Sequence, residues 1–245
     1  MKKKTFIIAN WKMNLSLSDS SNFLKKICKF KMPLGNLFEI VICPQFLLIP
    51  NLSKLLGSIV KLGAQDCHYA TSGAFTGDSS IKLLKYFKCK YVIAGHSERR
   101  ILHKESNIEI KKKVTLISSE GLTPILCVGE LLNERKKKLH KQKIISQLQE
   151  SIPTNLKNII IAYEPIWSIG TGTIPSVYEI TEVTEIIFNF LRKYRNHTKF
   201  HIIYGGSVDS INFRKISEIQ NINGALIGGS SLKYNELKKI VSSIN

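Results

Sequence analysis

IIIAYEPIWSIGTG, residues 159–172, opens on four apolar residues and then delivers one carboxylate, Glu164, into a loop punctuated by glycine. The apolar run is too short for a helix, rich in β-branched residues and apolar on both faces, as a parallel strand covered on both sides must be. Seven more runs of this kind recur: FIIA (6–9), EIVIC (39–43), IVKLGA (59–64), YVIA (91–94), PILCV (124–128), FHIIY (200–204) and ALIG (225–228). Helical periodicity fills the intervals. Ser176-Val-Tyr-Glu179 reads as a capping box opening a helix to about Tyr194, with Val177, Ile180, Val183, Ile187 and Leu191 on one face. Glu105–Ser118 and Glu134–Glu150 read as further helices. Eight strand–helix alternations predict an α/β protein built as a single (β/α)8 TIM barrel, one catalytic domain over 1–245. An open doubly wound sheet would ask for G-x-G-x-x-G after the first strand, and Asn10-Trp11-Lys12 stands there instead.

A barrel brings all strand C-termini to one face, where such folds keep their chemistry. Asn10 and Lys12 follow the first strand, His96 and Glu98 the fourth, Glu130 the fifth and Glu164 the sixth. Ser207 follows the seventh, and Gly228-Gly229 close the eighth. Residues scattered over the whole chain are therefore expected to meet in one pocket.

A chain of 245 residues can bury roughly three-quarters of its unfolded surface and needs no staples. The five cysteines are odd in number, widely spread and lack any C-x-x-C pair, which argues against a disulfide framework and fits a reducing compartment. Without a signal-peptide core or an apolar run near ~18 residues, a soluble cytoplasmic protein without a membrane role is expected. Net charge is +18, from 36 Lys+Arg against 18 Asp+Glu. Only six of those 36 are arginine, and no aromatic-plus-basic platform is visible, so a solvated basic surface is expected rather than a nucleic-acid partner. The six histidines show no metal-site spacing; no metal and no cofactor is expected.

FIIANWKMN (6–14), YVIAGHSERR (91–100) and AYEPIWSIGTG (162–172) together resemble the triosephosphate isomerase family. The resemblance covers the chain strand by strand. It implies interconversion of dihydroxyacetone phosphate and D-glyceraldehyde 3-phosphate, with Glu164 moving the proton between C1 and C2 through an enediolate. It implies that His96 polarises the substrate oxygen as a neutral imidazole, this family being the standard instance of that behaviour. Lys12 offers two chemistries by itself: an ammonium stabilising the enediolate, or a neutral amine forming a Schiff base as in a barrel aldolase. The resemblance implies the first, with Asn10 donating beside it, Glu98 tethering Lys12 and Cys127 supporting the site. For the substrate phosphate it implies backbone N–H groups at Ser207, Gly228 and Gly229, joined by Gly170 of a lid over 165–176.

SGAFTGD (72–78) resembles a protruding loop that enters a twin subunit, which implies a homodimer with Phe75 and Thr76 in the contact and Thr76 reaching the neighbour's Asn10 and Lys12. Several positions depart from the family pattern. The lid ends on Thr173-Ile174-Pro175 rather than a small-residue hinge, Ser168 replaces alanine, Asn223 replaces aspartate, and HKESNI (103–108) loosely stands for F-G-E-[ST]-D-E. Rival readings are the aldolase, a glycosidase using Glu98 and Glu164, and a non-enzymatic basic binding protein.

Overall fold

The computed structural model describes residues 4–30, 38–171, 173–195 and 198–243. Eight parallel strands close a barrel in chain order: β1 (Thr5–Asn10), β2 (Phe38–Cys43), β3 (Val60–Ala64), β4 (Cys89–Ala94), β5 (Thr123–Val128), β6 (Asn158–Tyr163), β7 (Lys199–Tyr204) and β8 (Ile222–Ile227). Ten α-helices lie between and after them among the described residues: α1 (Leu17–Cys28), α2 (Ile49–Leu52), α3 (Ile81–Tyr86), α4 (Ser97–Leu102), α5 (Asn107–Ser119), α6 (Leu132–Lys136), α7 (His140–Ser151), α8 (Val177–Tyr194), α9 (Phe213–Ser217) and α10 (Tyr234–Ser242). No helix is long and apolar enough to cross a membrane among the described residues.

The two-residue period of a strand divides the core into two layers. Phe6, Ile8, Val41, Ile93, Ile125, Cys127, Ile160, Ala162, Ile203 and Leu226 fill the barrel interior. Their alternates, among them Ile7, Ile40, Val92, Leu126, Ile161 and Ile202, face outward and pack with α-helical residues such as Leu24, Val114, Ile144 and Ile187. Apolar side chains thus occupy both faces of the strands other than β3, whose inward positions are Lys61 and Gly63, the reason most runs read as continuous rather than alternating.

The capping box forms at the start of α8. Ser176 Oγ accepts from the Glu179 N–H at 3.2 Å, and Glu179 Oε2 accepts from the Ser176 N–H at 2.8 Å. The helix expected over 134–150 is instead two, α6 and α7, with Lys138 between them at φ 58. The reason is tertiary. Arg135 Nη2 and His140 Nε2 both reach Glu182 of α8, at 3.0 and 3.2 Å. Five residues apart on one continuous helix they would stand roughly 140° apart, too far round to share a partner.

Candidate active site

Strand parity aims the site. In β6 the inward positions are Ile160 and Ala162, and the next step of two is Glu164; in β1, Phe6 and Ile8 lead to Asn10. The sheet positions flanking Glu164 are both glycine. A Cβ on Gly129 would lie 1.7 Å from the Glu164 carbonyl oxygen, and one on Gly205 would lie 2.8 Å from Glu164 Cγ. The carboxylate therefore sits in a slot that any larger neighbour would fill.

A cavity of about 300 Å³ opens at this end of the barrel, lined by Asn10, Lys12, His96, Glu164, Gly170, Ser207, Gly228 and Gly229 among others. Glu164 is buried, with Oε1 3.1 Å from His96 Nε2 and Oε2 accepting from the Ser97 N–H at 3.0 Å. Cys127, an inward residue of β5, also acts on this carboxylate to lower its pKa. Burial pushes the Glu164 pKa up, but His96, the Ser97 N–H and Cys127 outweigh it and hold the group below its ordinary 4.5. His96 is the N-cap of α4, and its Nδ1 accepts from the Glu98 N–H at 3.2 Å. That contact leaves Nδ1 without a proton and fixes the neutral tautomer with Nε2–H facing the cavity. Burial pushes the His96 pKa down, and the carboxylate of Glu164, seconded by Glu98, carries the net above 6.5.

Lys12 stands in the left-handed region at φ 50, uncommon for a side-chain-bearing residue. Its N–H donates to Asn10 Oδ1 at 3.1 Å, and its Nζ pairs with Glu98. The lysine stem runs beside Gly228, where a Cβ would make an ordinary van der Waals contact, 3.5 Å from Lys12 Cε. Gln65, one residue beyond β3, holds this turn in place: its Nε2 donates to the carbonyls of Lys12 at 2.8 Å and Cys43 at 2.9 Å. Nothing in the sequence reading singled out Gln65, although the strand-end rule that found the other site residues applies to it equally.

Past Glu164 the chain forms a 3₁₀ turn, Ile166–Ser168. The Trp167 indole N–H donates to Glu130 Oε1 at 3.1 Å, as does the Tyr163 hydroxyl at 3.1 Å. Glu130 was placed at a strand end by the sequence but given no task. Ser207 Oγ donates to the Ser168 carbonyl at 2.6 Å, joining the loop after β7 to the segment before Gly170. Gly170 and Ile174 border the cavity, while Gly172 lies outside the described residues. Gly228 caps a second 3₁₀ turn, Gly229–Leu232.

Phe75 and Thr76 are not brought to this cavity. They lie on the exposed loop 72–78, where Phe75 stacks on His68 with ring centroids 3.8 Å apart. The departures at 103–108 and 223 are accommodated. Glu105 pairs with Arg99 and Lys113, and Asn223 accepts from the Ile202 N–H at 3.2 Å. No group of three or more His, Cys, Asp and Glu side chains able to hold a metal ion occurs among the described residues.

The model of the triosephosphate isomerase family matches residues 5–244. Among curated relatives, a triosephosphate isomerase of Amoebophilus asiaticus (strain 5a2) is 42% identical, over 99% of this chain and 100% of the relative. One of Wolbachia sp. subsp. Brugia malayi (strain TRS) is 41% identical over 97% of each chain. One of Aquifex aeolicus (strain VF5) is 40% identical over 98% of this chain and 99% of the relative. Matches of this extent, on a closed barrel whose strand ends converge on one cavity, establish that the chain belongs to the triosephosphate isomerase family.

Proposed function

We propose that the cavity interconverts dihydroxyacetone phosphate and D-glyceraldehyde 3-phosphate, with Glu164 as the base that takes a proton from C1 and returns it to C2. The observation that carries this is Glu164 itself: a carboxylate 1% exposed, held below its ordinary pKa and so ionised at neutral pH, at the floor of a cavity rimmed by His96 and Lys12. Burial makes an ionised carboxylate a stronger base once its hydrogen-bond partners are exchanged for substrate.

His96 polarises the carbonyl oxygen through Nε2–H. Bound substrate takes the place of Glu164 at that nitrogen, which removes the principal upward push on the His96 pKa and leaves burial acting downward. The imidazole then works neutral. Lys12 stabilises the charge growing on the enediolate oxygen, and Asn10 donates beside it. Lys12 Nζ is engaged in an ion pair with Glu98, which supports the electrostatic role over the Schiff base of an aldolase. Cys127 and Glu98 act through Glu164 and Lys12.

The phosphate is gripped by backbone N–H groups around Ser207, Gly228 and Gly229, at the start of the 3₁₀ turn, and by Gly170 when the lid closes. Closure excludes water and keeps the enediolate from eliminating phosphate. Residues 1–245 serve as one catalytic domain, in a cytoplasmic homodimer. Four exposed apolar side chains that follow successive strands support the dimer: Met13 after β1, Leu47 after β2, Phe75 after β3 and Leu102 after β4. Thr76 of one subunit then reaches Asn10 and Lys12 of the other.

A coupled assay of triose phosphate interconversion tests the reading, run beside borohydride trapping with substrate. Turnover without a trapped lysine adduct is expected; an adduct on Lys12 would return the aldolase.

A further inference from the structure

Arg135 lies on α6, away from the cavity, yet its side chain is only 11% exposed and three carboxylates surround it. Its Nη1 is 3.7 Å from Glu130 Oε1, its Nε 3.6 Å from Glu179 Oε1, and its Nη2 3.0 Å from Glu182 Oε2. Two of these partners, from after β5 and from α8, hold opposite ends of the same loop. Glu130 holds Trp167, at the beginning of the lid, through the 3.1 Å indole bond. Glu179 closes the capping box on Ser176, where the lid ends. His140 joins the cluster from α7, 3.2 Å from Glu182.

Three buried atoms within this cluster lack hydrogen bonds: Glu130 Oε2, Arg135 Nη1 and His140 Nδ1. Glu130 is wholly buried, so its carboxylate cannot turn to solvent if Trp167 withdraws. A guanidinium already 3.7 Å away, with a donor unspent, needs only a small shift to take the place of the indole.

We propose that Arg135 is a positioning residue for the lid: it joins the two hinges and takes over Glu130 when Trp167 leaves it. The role rests on the isomerase reading above, in which the lid moves during turnover. It makes Trp167 and Arg135 alternative partners of one carboxylate, so removing both costs more than the two single losses combined.

The test is a double-mutant cycle with Trp167→Phe and Arg135→Met in the full chain. It reads KM, kcat and the fraction of turnovers that end in release of inorganic phosphate, with melting temperatures alongside. Each single substitution is expected to raise KM and phosphate release, and the double substitution to exceed their product by at least about 3-fold. Arg135→Lys keeps the charge but not the fork, so it falls between the parent and Arg135→Met and serves where the latter does not fold. Multiplicative effects, or a lowered melting temperature with unchanged KM and phosphate release, would overturn the proposal. Glu164→Ala separates the two ideas. Turnover in the parent, lost in that variant, with multiplicative effects in the cycle removes only the role of Arg135. No turnover in the parent removes both.

Discussion

Glu164 and His96 set each other's charge. The carboxylate is the principal group raising the imidazole, the imidazole is the principal group lowering the carboxylate, and burial opposes both. Replacing Glu164 by Gln deletes the push on His96 and leaves burial, so the histidine pKa moves from above 6.5 to below it. An ¹⁵N titration of His96 in Glu164→Gln and in the parent reads this directly, and equal midpoints would contradict the pairing. Much of this centre is legible in the sequence because it depends on strand ends. Glu164, Asn10, Gly205 and Gly228 continue the inward parity of their strands, and His96 and Lys12 follow within two residues of a strand's last residue. Gly129 and Gln65 were less legible. The first is needed because the Glu164 carbonyl crowds it, the second because it spans two carbonyls from a third strand. Such requirements exist only once the strands are side by side.

At the scale of elements, the strands were easy to read and one helix was not. Apolar runs buried on both faces announce parallel strands, and Ser176-Val-Tyr-Glu179 carries its helix start in four residues. The segment 134–150 has helical periodicity throughout, but its break at Lys138 comes from Arg135 and His140 converging on Glu182 more than forty residues away. Local pattern holds no trace of that. The lid's second hinge is a departure that was visible. Pro175 fixes its own φ and restricts Ile174, which narrows the conformations the open lid explores before closing. Pro175→Ala restores that freedom, and each closure must remove it again. A penalty of about 0.4–1 kcal/mol corresponds to a fall in kcat/KM of roughly 2- to 5-fold, with more phosphate released per turnover. Unchanged kcat/KM and phosphate release would show that Pro175 does not govern closure.

At the scale of the molecule, the proposed homodimer predicts that Met13, Leu47, Phe75 and Leu102, exposed in the single chain, become covered. The parent is expected to scatter light as a species of twice 27.7 kDa, and dilution into monomers is expected to reduce specific activity as the partner's Thr76 is lost. Monomers of full activity would contradict the shared site. The expectation of a dimer rests on resemblance, because in a single chain Phe75 stacks on His68 and the loop reads as an ordinary turn. The proposed isomerisation depends on one carboxylate moving one proton. The measurement that decides it is kcat for triose phosphate interconversion in the parent and in Glu164→Ala, both verified as folded. A general base contributes roughly 10²- to 10⁴-fold, so a loss in that range is predicted. Turnover within a few-fold of the parent would show that Glu164 is not the base.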